Sequence, residues 1–190
     1  MQKPFIADQE FVGQNYTQNS LPKGEYENCV FRNCTFSNGF LDNQNFMECE
    51  FVDCDLTNSN IKHTTFKECY FKDSKLVGLR FEDCDTLFLS MRFEGCNLSF
   101  ASFFELSIPQ TQFLDCILEE TDFTQTNLKE SSFTGCNLKK TIFHQTVLEK
   151  ADFGSAFNLI IDPEQNQLKK AKFSKENCMG LLKKYDIVIT

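Results

Sequence analysis

Large apolar residues recur at every fifth position along this chain, and most of the places between them are polar. The first run of this pattern comprises Ile6, Phe11, Tyr16, Leu21, Tyr26, Phe31, Phe36, Leu41, Phe46, Phe51, Leu56, Ile61, Phe66, Phe71, Leu76 and Phe81. A five-residue period fits neither the 3.6-residue period of an amphipathic helix nor the two-residue period of a half-buried strand. Because the chain returns to one orientation at every fifth residue, the pattern predicts a solenoid built from repeats.

The cysteines recur at a second, longer interval of twenty residues. The three series are Cys29, Cys49 and Cys69; Cys34 and Cys54; and Cys96, Cys116 and Cys136. If similar side chains stack on successive coils, twenty residues form one coil, and its four five-residue units form four sides. The sequence therefore predicts a coil with a roughly square cross-section.

Two positions in each five-residue unit are expected to face inward. One is the large apolar residue, and the other lies two places before it and is Cys or another small residue. Examples of small residues at this second position are Ser59, Ser74, Ala101, Thr121, Thr126, Ser131, Thr141, Thr146 and Ala151. The other three places carry nearly all of the charge. We therefore expect an apolar interior and a charged exterior.

These units resemble the pentapeptide-repeat family, whose motif has Ala, Cys, Ser or Thr, then often Asp or Asn, then Leu or Phe, and two variable residues. Matching units are Cys96-Asn97-Leu98, Thr121-Asp122-Phe123, Thr126-Asn127-Leu128, Cys136-Asn137-Leu138 and Ala151-Asp152-Phe153. The resemblance covers about residues 5 to 173. It implies an all-β fold, a right-handed quadrilateral β-helix, and the handedness follows from the resemblance and not from the spacing.

The five-residue phase has two irregularities. Two residues are inserted between Phe81 and Phe93, in the stretch 82–92, and the pattern resumes at Phe88 or Phe93. A second irregularity spans residues 154–167, where a loop is expected to replace two sides of a coil, before Leu168 and Phe173 return to the phase. We therefore expect residues 1–173 to form one rod with a small bulge.

The tail, residues 174–190, has a different pattern. Ser174 can cap a short helix whose Cys178, Leu181, Leu182 and Tyr185 form an apolar stripe, with Cys178 in the helix core. Residues 187–189 predict a terminal strand. The tail either covers the open end of the solenoid alone or also pairs two rods. The run from Leu168 through Ile189 resembles the topoisomerase-protecting, Qnr-type branch of the family, which implies a homodimer with contacts at Leu181, Leu182, Tyr185, Ile187 and Ile189.

Composition argues against several classes of protein. No stretch has the apolar length needed to span a bilayer, and no signal peptide is evident, so we expect a cytoplasmic protein with reduced thiols. The chain lacks a Cys-x-x-Cys pair, and the stacking period accounts for every cysteine except Cys178 as core packing. His63 and His144 fall on outward places of distant coils. We expect no metal, no cofactor and no enzymatic activity.

Charge is the more informative chemistry. The net charge is −8, and residues 1–160 hold 23 of the 27 acidic side chains but 13 of the 19 basic ones. Two stretches, 33–61 and 93–128, contain acidic residues and no Lys or Arg. A binding partner of this surface should be basic, whereas direct binding to nucleic acid requires the opposite sign of charge.

Resemblance to the Qnr-type branch implies that this charge mimics DNA toward a type II topoisomerase, DNA gyrase or topoisomerase IV, with protection against quinolones. The acidic residues expected to make the contact are Asp42, Asp53, Asp55, Glu94, Glu105, Asp115, Glu119, Glu120 and Asp122. The chain departs from many Qnr-type proteins because it has no substantial loop projecting from the middle of the rod. The alternative is a scaffold or interaction module with an unrelated partner.

Overall fold

Short strands of this protein pair in parallel with the strands one coil later. The structure is a computed structural model that describes residues 3–188. One side of the solenoid, face 1, carries a four-stranded sheet of β1 (Phe5–Ala7), β3 (Glu25–Glu27), β5 (Asn45–Met47) and β7 (Thr65–Lys67). Face 2 carries a nine-stranded sheet of β2 (Glu10–Val12), β4 (Val30–Arg32), β6 (Glu50–Val52), β8 (Cys69–Lys72), β9 (Met91–Glu94), β10 (Gln112–Leu114), β11 (Ser132–Thr134), β12 (Asp152–Phe153) and β13 (Lys172–Phe173).

Faces 3 and 4 are joined by single parallel bridges. On face 3 they run from Asn15 and Thr35 to Asn137 and Phe157, and on face 4 they include Ser102 with Asp122. Partners on all four faces are twenty residues apart except across the insertion. Nine strands on face 2 make eight steps from coil to coil. The expected quadrilateral β-helix is therefore confirmed.

The interior is a stack of aromatic and aliphatic layers. Phe51 lies between Phe31 and Phe71, and its ring centroid is 4.9 Å from each of theirs. The stack on face 2 continues without interruption through nine phenylalanines: Phe11, Phe31, Phe51, Phe71, Phe93, Phe113, Phe133, Phe153 and Phe173. Rings on adjacent faces meet edge to face, as Phe31 and Phe46 do. Both contacts are favourable aromatic geometries.

The second inward position is buried as expected, and it also donates hydrogen bonds. The hydroxyls of Thr121 and Thr126 donate to the carbonyl oxygens of Leu98 and Phe103, over 2.8 and 2.7 Å. Cys54 Sγ makes the equivalent contact with Phe31 O at 3.3 Å. Cys, Ser and Thr therefore share this position because each combines small volume with a donor for the preceding coil.

The corners of the solenoid place residues in the left-handed backbone region. The corner between faces 1 and 2 holds Asp8, Asn28, Glu48 and Glu68, all with φ between 51° and 54°. Short polar side chains tolerate this region better than branched ones. Corner side chains point outward, so the corner columns form the exposed edges of the rod.

The insertion lies where the sequence predicts it, and the solenoid absorbs it locally. β8 pairs with β9 at an offset of 22 residues, since Phe71 is opposite Phe93. Phe88 is exposed, so the inward pattern resumes at Phe93 and not at Phe88. Leu89 instead packs against the core. The extra residues leave the stack intact and end the sheet on face 1 after β7.

Residues 154–167, the second irregularity, follow the path of the coil. Phe157 and Gln167 keep bridges to residues twenty positions earlier, and Leu159 and Ile161 are buried between them. The tail then forms a helix, α1 (Cys178–Leu182), followed by a 3-10 turn over Lys183–Tyr185. The predicted terminal strand is wrong at Ile187 and Val188, which pair with no strand, and Ile189 lies outside the described residues. No helix within residues 3–188 is long and apolar enough to cross a bilayer.

Candidate functional site

The expected acidic surface is partly neutralised by lysines from neighbouring coils. A sequence window cannot see these contacts, because residues that touch across coils are about twenty positions apart. The two stretches without Lys or Arg are therefore less unbalanced in space than in sequence. Four of the nine expected acidic residues form ion pairs with such lysines: Asp42 with Lys23 at 3.0 Å, Glu94 with Lys72 at 3.2 Å, Glu119 with Lys139 at 2.6 Å and Glu120 with Lys140 at 2.7 Å.

The other five expected residues do not form one patch. Asp55 and Asp122 accept backbone N–H bonds from residues two positions later, over 2.9 and 2.8 Å, and lie on faces 3 and 4. Asp53, Glu105 and Asp115 occupy corners with positive φ. Asp53 and Asp115 share the corner between faces 2 and 3, whereas Glu105 lies at the corner between faces 4 and 1. The structure thus spreads the nine residues around the rod.

A denser group of carboxylates lies elsewhere, along the corner between faces 1 and 2 in the amino-terminal half. This acidic edge consists of Asp8, Glu27, Glu48, Glu50 and Glu68. Within residues 3–188, none of the five forms an ion pair. Glu48 and Glu68 are exposed corner residues on consecutive coils. The twenty-residue period, applied to charges, could have found this edge.

The acidic edge carries at least one carboxylate on each of the first four coils. Its five carboxylates span the first four coils, or three steps of roughly 4.8 Å. Glu48 and Glu50 lie on the same coil, so the axial interval between charged levels is roughly 4.8 Å, against about 3.4 Å per phosphate on one strand of duplex DNA. Toward the carboxyl end of the same corner, Lys150 pairs with Glu130, and Lys170 follows. The acidic character is therefore confined to the amino-terminal half.

The tail closes the carboxyl end of the solenoid through polar contacts. Asn177 is buried, and its Nδ2 donates to the carbonyl oxygens of Phe153 and Ala156, each over 2.8 Å. Gly180 packs so closely that a Cβ there would lie 1.9 Å from Leu159 O. Ser174 Oγ accepts from Asn177 N at 3.1 Å, one turn before the helix begins. Asn177 thus supplies a donor to Ala156 O and a second donor to Phe153 O, which also accepts from Ala156 N over 3.2 Å.

An ionic cluster holds the end of the tail against the second irregularity. Lys184 Nζ lies 2.7 Å from Asp162 Oδ1 and 2.8 Å from Glu164 Oε2, and the Tyr185 hydroxyl donates to Glu164 Oε1 over 2.9 Å. Hydrogen bonds from Lys184 hold the pKa values of both carboxyls below their usual range. Desolvation opposes ionisation of Lys184, but its two carboxylate partners raise its pKa above the ordinary value.

The expected dimer residues divide into two groups. Leu181 packs against the core of its own rod, so it serves as a cap contact. Leu182, Tyr185 and Ile187 are exposed, and Ile189 lies outside the described residues. Cys178, expected in the helix core, is exposed because Asn177 takes the inward position. Met179 joins the exposed group beside a groove of about 1030 Å³ between the tail and the last coils.

Metal-binding side chains do not cluster in the part of the chain that the structure describes. Residues 3–188 contain no group of three His, Cys, Asp or Glu side chains that could hold a metal ion. His63 and His144 are exposed on separate coils, as expected. All nine solenoid cysteines are buried. Burial raises the pKa of the Cys49 thiol to about 12, which keeps it protonated near neutral pH.

Comparisons with known proteins agree with this architecture. A model of the pentapeptide repeat region matches residues 86–173, and a model of eight pentapeptide repeats matches residues 27–62 and 49–85. No curated protein sequence matches the chain significantly. Among solved structures, a trypsin-treated variant of QnrB1, a plasmid-mediated fluoroquinolone resistance protein, has a TM-score of 0.64 at 16% identity. That match covers 98% of this chain and 100% of the other.

A second QnrB1 structure, of the full-length protein, has a TM-score of 0.52 at 18% identity and covers 96% of this chain and 100% of the other. Identities this low show a shared fold and nothing finer. The family models, the twenty-residue parallel register and the stacked interior agree with one another. The chain belongs to the pentapeptide-repeat family.

Proposed function

We propose that this protein is a non-enzymatic, acidic DNA mimic that binds a type II topoisomerase, DNA gyrase or topoisomerase IV. The observation that carries the proposal is the acidic edge, five carboxylates that form no ion pair within residues 3–188 and that line four consecutive coils. A narrow rod with this line of charge attracts a Lys- and Arg-lined surface that normally grips duplex DNA. Protection of the enzyme from quinolones is the proposed consequence.

Structural likeness to QnrB1 supports the proposal at the level of shape. QnrB1 is a plasmid-mediated fluoroquinolone resistance protein, and this chain matches nearly the whole length of its structures. We further propose that the exposed Leu182, Tyr185 and Ile187, together with Ile189, pair two copies of the chain. A dimer joined by its tails would double the length of the rod and carry one acidic edge at each distal end.

A scaffold with an unrelated partner is the second candidate, and one observation favours it. Four of the nine carboxylates expected to contact a topoisomerase are paired with lysines from adjacent coils. Such pairs suit a soluble, weakly charged surface as well as a DNA mimic. The two candidates differ in their expected response to a topoisomerase.

The test is supercoiling by purified gyrase in the presence of a quinolone, with the protein titrated from below to well above the enzyme concentration. We expect supercoiling to be restored, or to be inhibited without drug at high protein concentration. The triple variant E48Q, E50Q and E68Q should need about tenfold more protein for the same effect. The matched control E119Q, E120Q and D122N changes the same number of charges on faces 3 and 4.

Varying the salt concentration in the supercoiling assay provides an independent test. Because the attraction is between exposed charges, the effect of the protein should fade as ionic strength rises. No effect on gyrase or topoisomerase IV at any concentration would favour the scaffold. An equal loss in both triple variants would show that the total negative charge, and not the acidic edge in particular, governs binding to the topoisomerase.

A further inference from the structure

The two-residue insertion presents an apolar pair that the solenoid does not use. Leu87 and Phe88 are 63% and 67% exposed. Every other coil described closes in twenty residues, so the fold does not require them. Phe88 has φ of 66°, a left-handed conformation that is unfavourable for a bulky residue, and no burial offsets it. Packing within the rod therefore does not account for the two inserted residues.

Three contacts support the turn of the insertion. Asp85 Oδ1 accepts the backbone N–H of Leu87 over 3.0 Å, and Ser90 N donates to Phe66 O over 2.9 Å. Leu89 anchors the turn by packing against the core. Leu87 and Phe88 are thus presented on a fixed turn, which reduces the ordering that contact with another molecule would require.

Phe88 forms one end of a shallow groove on face 1. The groove, about 270 Å³ in volume, crosses β1, β3, β5 and β7 and is lined by Phe5, Met47 and Phe88 as its apolar side chains at the surface. From β1 to β7 is three strand spacings, roughly 14 Å. That length matches about nine residues, or about two and a half turns, of a helix at roughly 1.5 Å per residue. Met47 adds a flexible thioether that adapts to different apolar partners.

Acidic side chains surround this apolar floor. Glu25 and Glu27 line the groove, Glu48 and Glu68 follow along the acidic edge, and Asp85 precedes the insertion. Two bases also face it, and both are engaged: Lys3 Nζ donates to Asn45 Oδ1 over 3.2 Å, and Lys67 Nζ contacts Met47 Sδ at 3.9 Å. The lining itself holds two carboxylates against one ammonium group, and Glu48, Glu68 and Asp85 beyond it add to the negative rim.

We propose that this groove docks an amphipathic basic segment of a partner protein, with a bulky apolar side chain packed on Met47 and Phe88 beside the aliphatic stem of Lys67, and with flanking Lys or Arg residues facing the acidic rim. Charge complementarity selects a basic partner. The apolar floor distinguishes a protein segment from any purely electrostatic ligand, since burial of a large apolar side chain adds affinity that salt does not screen. The inference does not depend on a topoisomerase as the source of the segment.

A synthetic peptide tests the proposal. The probe is a fluorescein-labelled peptide with a leucine–phenylalanine pair between two runs of three lysines, and the matched control peptide has two alanines in place of that pair. Binding is followed by fluorescence anisotropy and by NMR of protein labelled at the methionine methyl groups. We expect the Met47 methyl signal to shift while that of Met179, at the other end of the rod, stays in place.

Variants locate the contact and separate it from folding. F88S should weaken binding about tenfold, whereas F100S, an equally outward phenylalanine with positive φ at another corner, should not. A deletion of Leu87 and Phe88 restores the twenty-residue offset and should fold while losing the same affinity. The double variant E25Q and E27Q should bind the peptide more weakly than the wild type at low salt. At high salt, where only the apolar contact contributes, the two proteins should bind it equally.

Three results would overturn the proposal. Equal affinity for the alanine peptide would show a purely electrostatic surface. An unchanged Met47 signal, or an unchanged affinity in F88S, would place the contact elsewhere. Self-association that F88S abolishes would make a second copy of this chain the occupant. The supercoiling assay can fail or succeed independently of each of these results.

Discussion

Glu119 and Lys139 are twenty positions apart in the sequence, and 2.6 Å separates Glu119 Oε1 from Lys139 Nζ. The same relationship joins Glu120 to Lys140, Glu130 to Lys150 and Asp152 to Lys172. The twenty-residue coil that stacks the interior therefore also pairs charges on the exterior. Local runs of acidic residues are a poor guide to the field of a solenoid, because the nearest neutralising group lies one coil away.

These pairs should contribute little to stability. Both side chains of the Glu119–Lys139 pair are substantially exposed, so a double-mutant cycle with E119Q and K139Q should give a coupling free energy of about 0.2 to 1 kcal/mol at low salt. The coupling should approach zero at about 1 M salt, where screening is nearly complete. A parallel cycle between Glu105 and Lys139, which lie on different sides of the rod, serves as the control. Coupling well above this range that persists at high salt would contradict the assignment.

The aromatic stack should carry much more of the stability. In F51A, the ring between Phe31 and Phe71 is removed and a cavity remains, so the free energy of unfolding should fall by about 3 to 5 kcal/mol. Phe40 is 59% exposed on face 4, and F40A should change stability by less than about 0.5 kcal/mol. Chemical denaturation followed by circular dichroism measures both. Similar losses in the two variants would contradict the inward assignment of Phe51.

Hydroxyl groups at the second inward position should contribute more to the free energy of unfolding than their packing alone does. Thr126 Oγ1 donates to Phe103 O over 2.7 Å in a buried setting. T126V keeps the shape but removes one of two donors to that carbonyl, which still accepts from Leu106 N over 3.1 Å, so it should lower the free energy of unfolding by about 0.5 to 1.5 kcal/mol. T126S keeps the donor and should lose less than T126V, despite the missing methyl group. The reverse order would show that packing alone selects the residue.

The thiols should differ sharply in reactivity. Cys178 is exposed, and the nine solenoid cysteines are buried. Ellman's reagent at neutral pH should therefore react quickly with one thiol in the native protein and with all ten in denaturant. C178S should abolish the fast reaction. Raising the pH to about 9 should add no second fast thiol from Cys49, because its pKa is raised to about 12. Several fast thiols in the native protein would indicate an open solenoid.

The sequence predicts the solenoid well because its interior obeys a strict period. Phe51 must stack on Phe31 and Phe71 once twenty residues make one coil, and the structure confirms this. The tail is less predictable, because no period constrains it. Cys178 and Leu181 share a helical face by spacing, yet the close approach of Gly180 to Leu159 O turns the helix so that Asn177 faces inward and Cys178 outward. The packing of the helix on the last coil decides that orientation, and helix propensity does not encode this packing.

The candidate surface is likewise predictable from the sequence only in part. Acidic composition correctly indicates a negatively charged rod, but the choice of Glu119 and Glu120 depends on neighbours in sequence, and the structure supplies Lys139 and Lys140 from the next coil. Glu48 and Glu68 form a continuous edge because their corner positions repeat at twenty residues. The charges are thus predictable from sequence only after the coil length is applied to the polar positions as well as to the apolar ones.

Docking of the tail should depend on pH in a defined direction. Hydrogen bonds from Lys184 lower the pKa values of Asp162 and Glu164 in the folded protein. A carboxyl whose pKa is lower in the folded state stabilises it above the unfolded value, which is about 4 for both groups, and this stabilisation is lost as pH falls through the folded value. Amide exchange in residues 178–188, corrected for intrinsic rates, should therefore be constant from about pH 8 to pH 5 and should accelerate below about pH 4.

The Lys184 side chain should be responsible for this pH dependence. K184M removes the cation that both carboxylates contact, so its tail should exchange quickly at every pH, while exchange in the Phe51 coil stays slow. K183M removes an adjacent lysine, which faces the groove beside the tail, and should keep the wild-type profile. If K184M retained slow exchange in the tail at neutral pH, the buried Asn177 contacts alone would hold the cap, and the ionic cluster would be incidental to it.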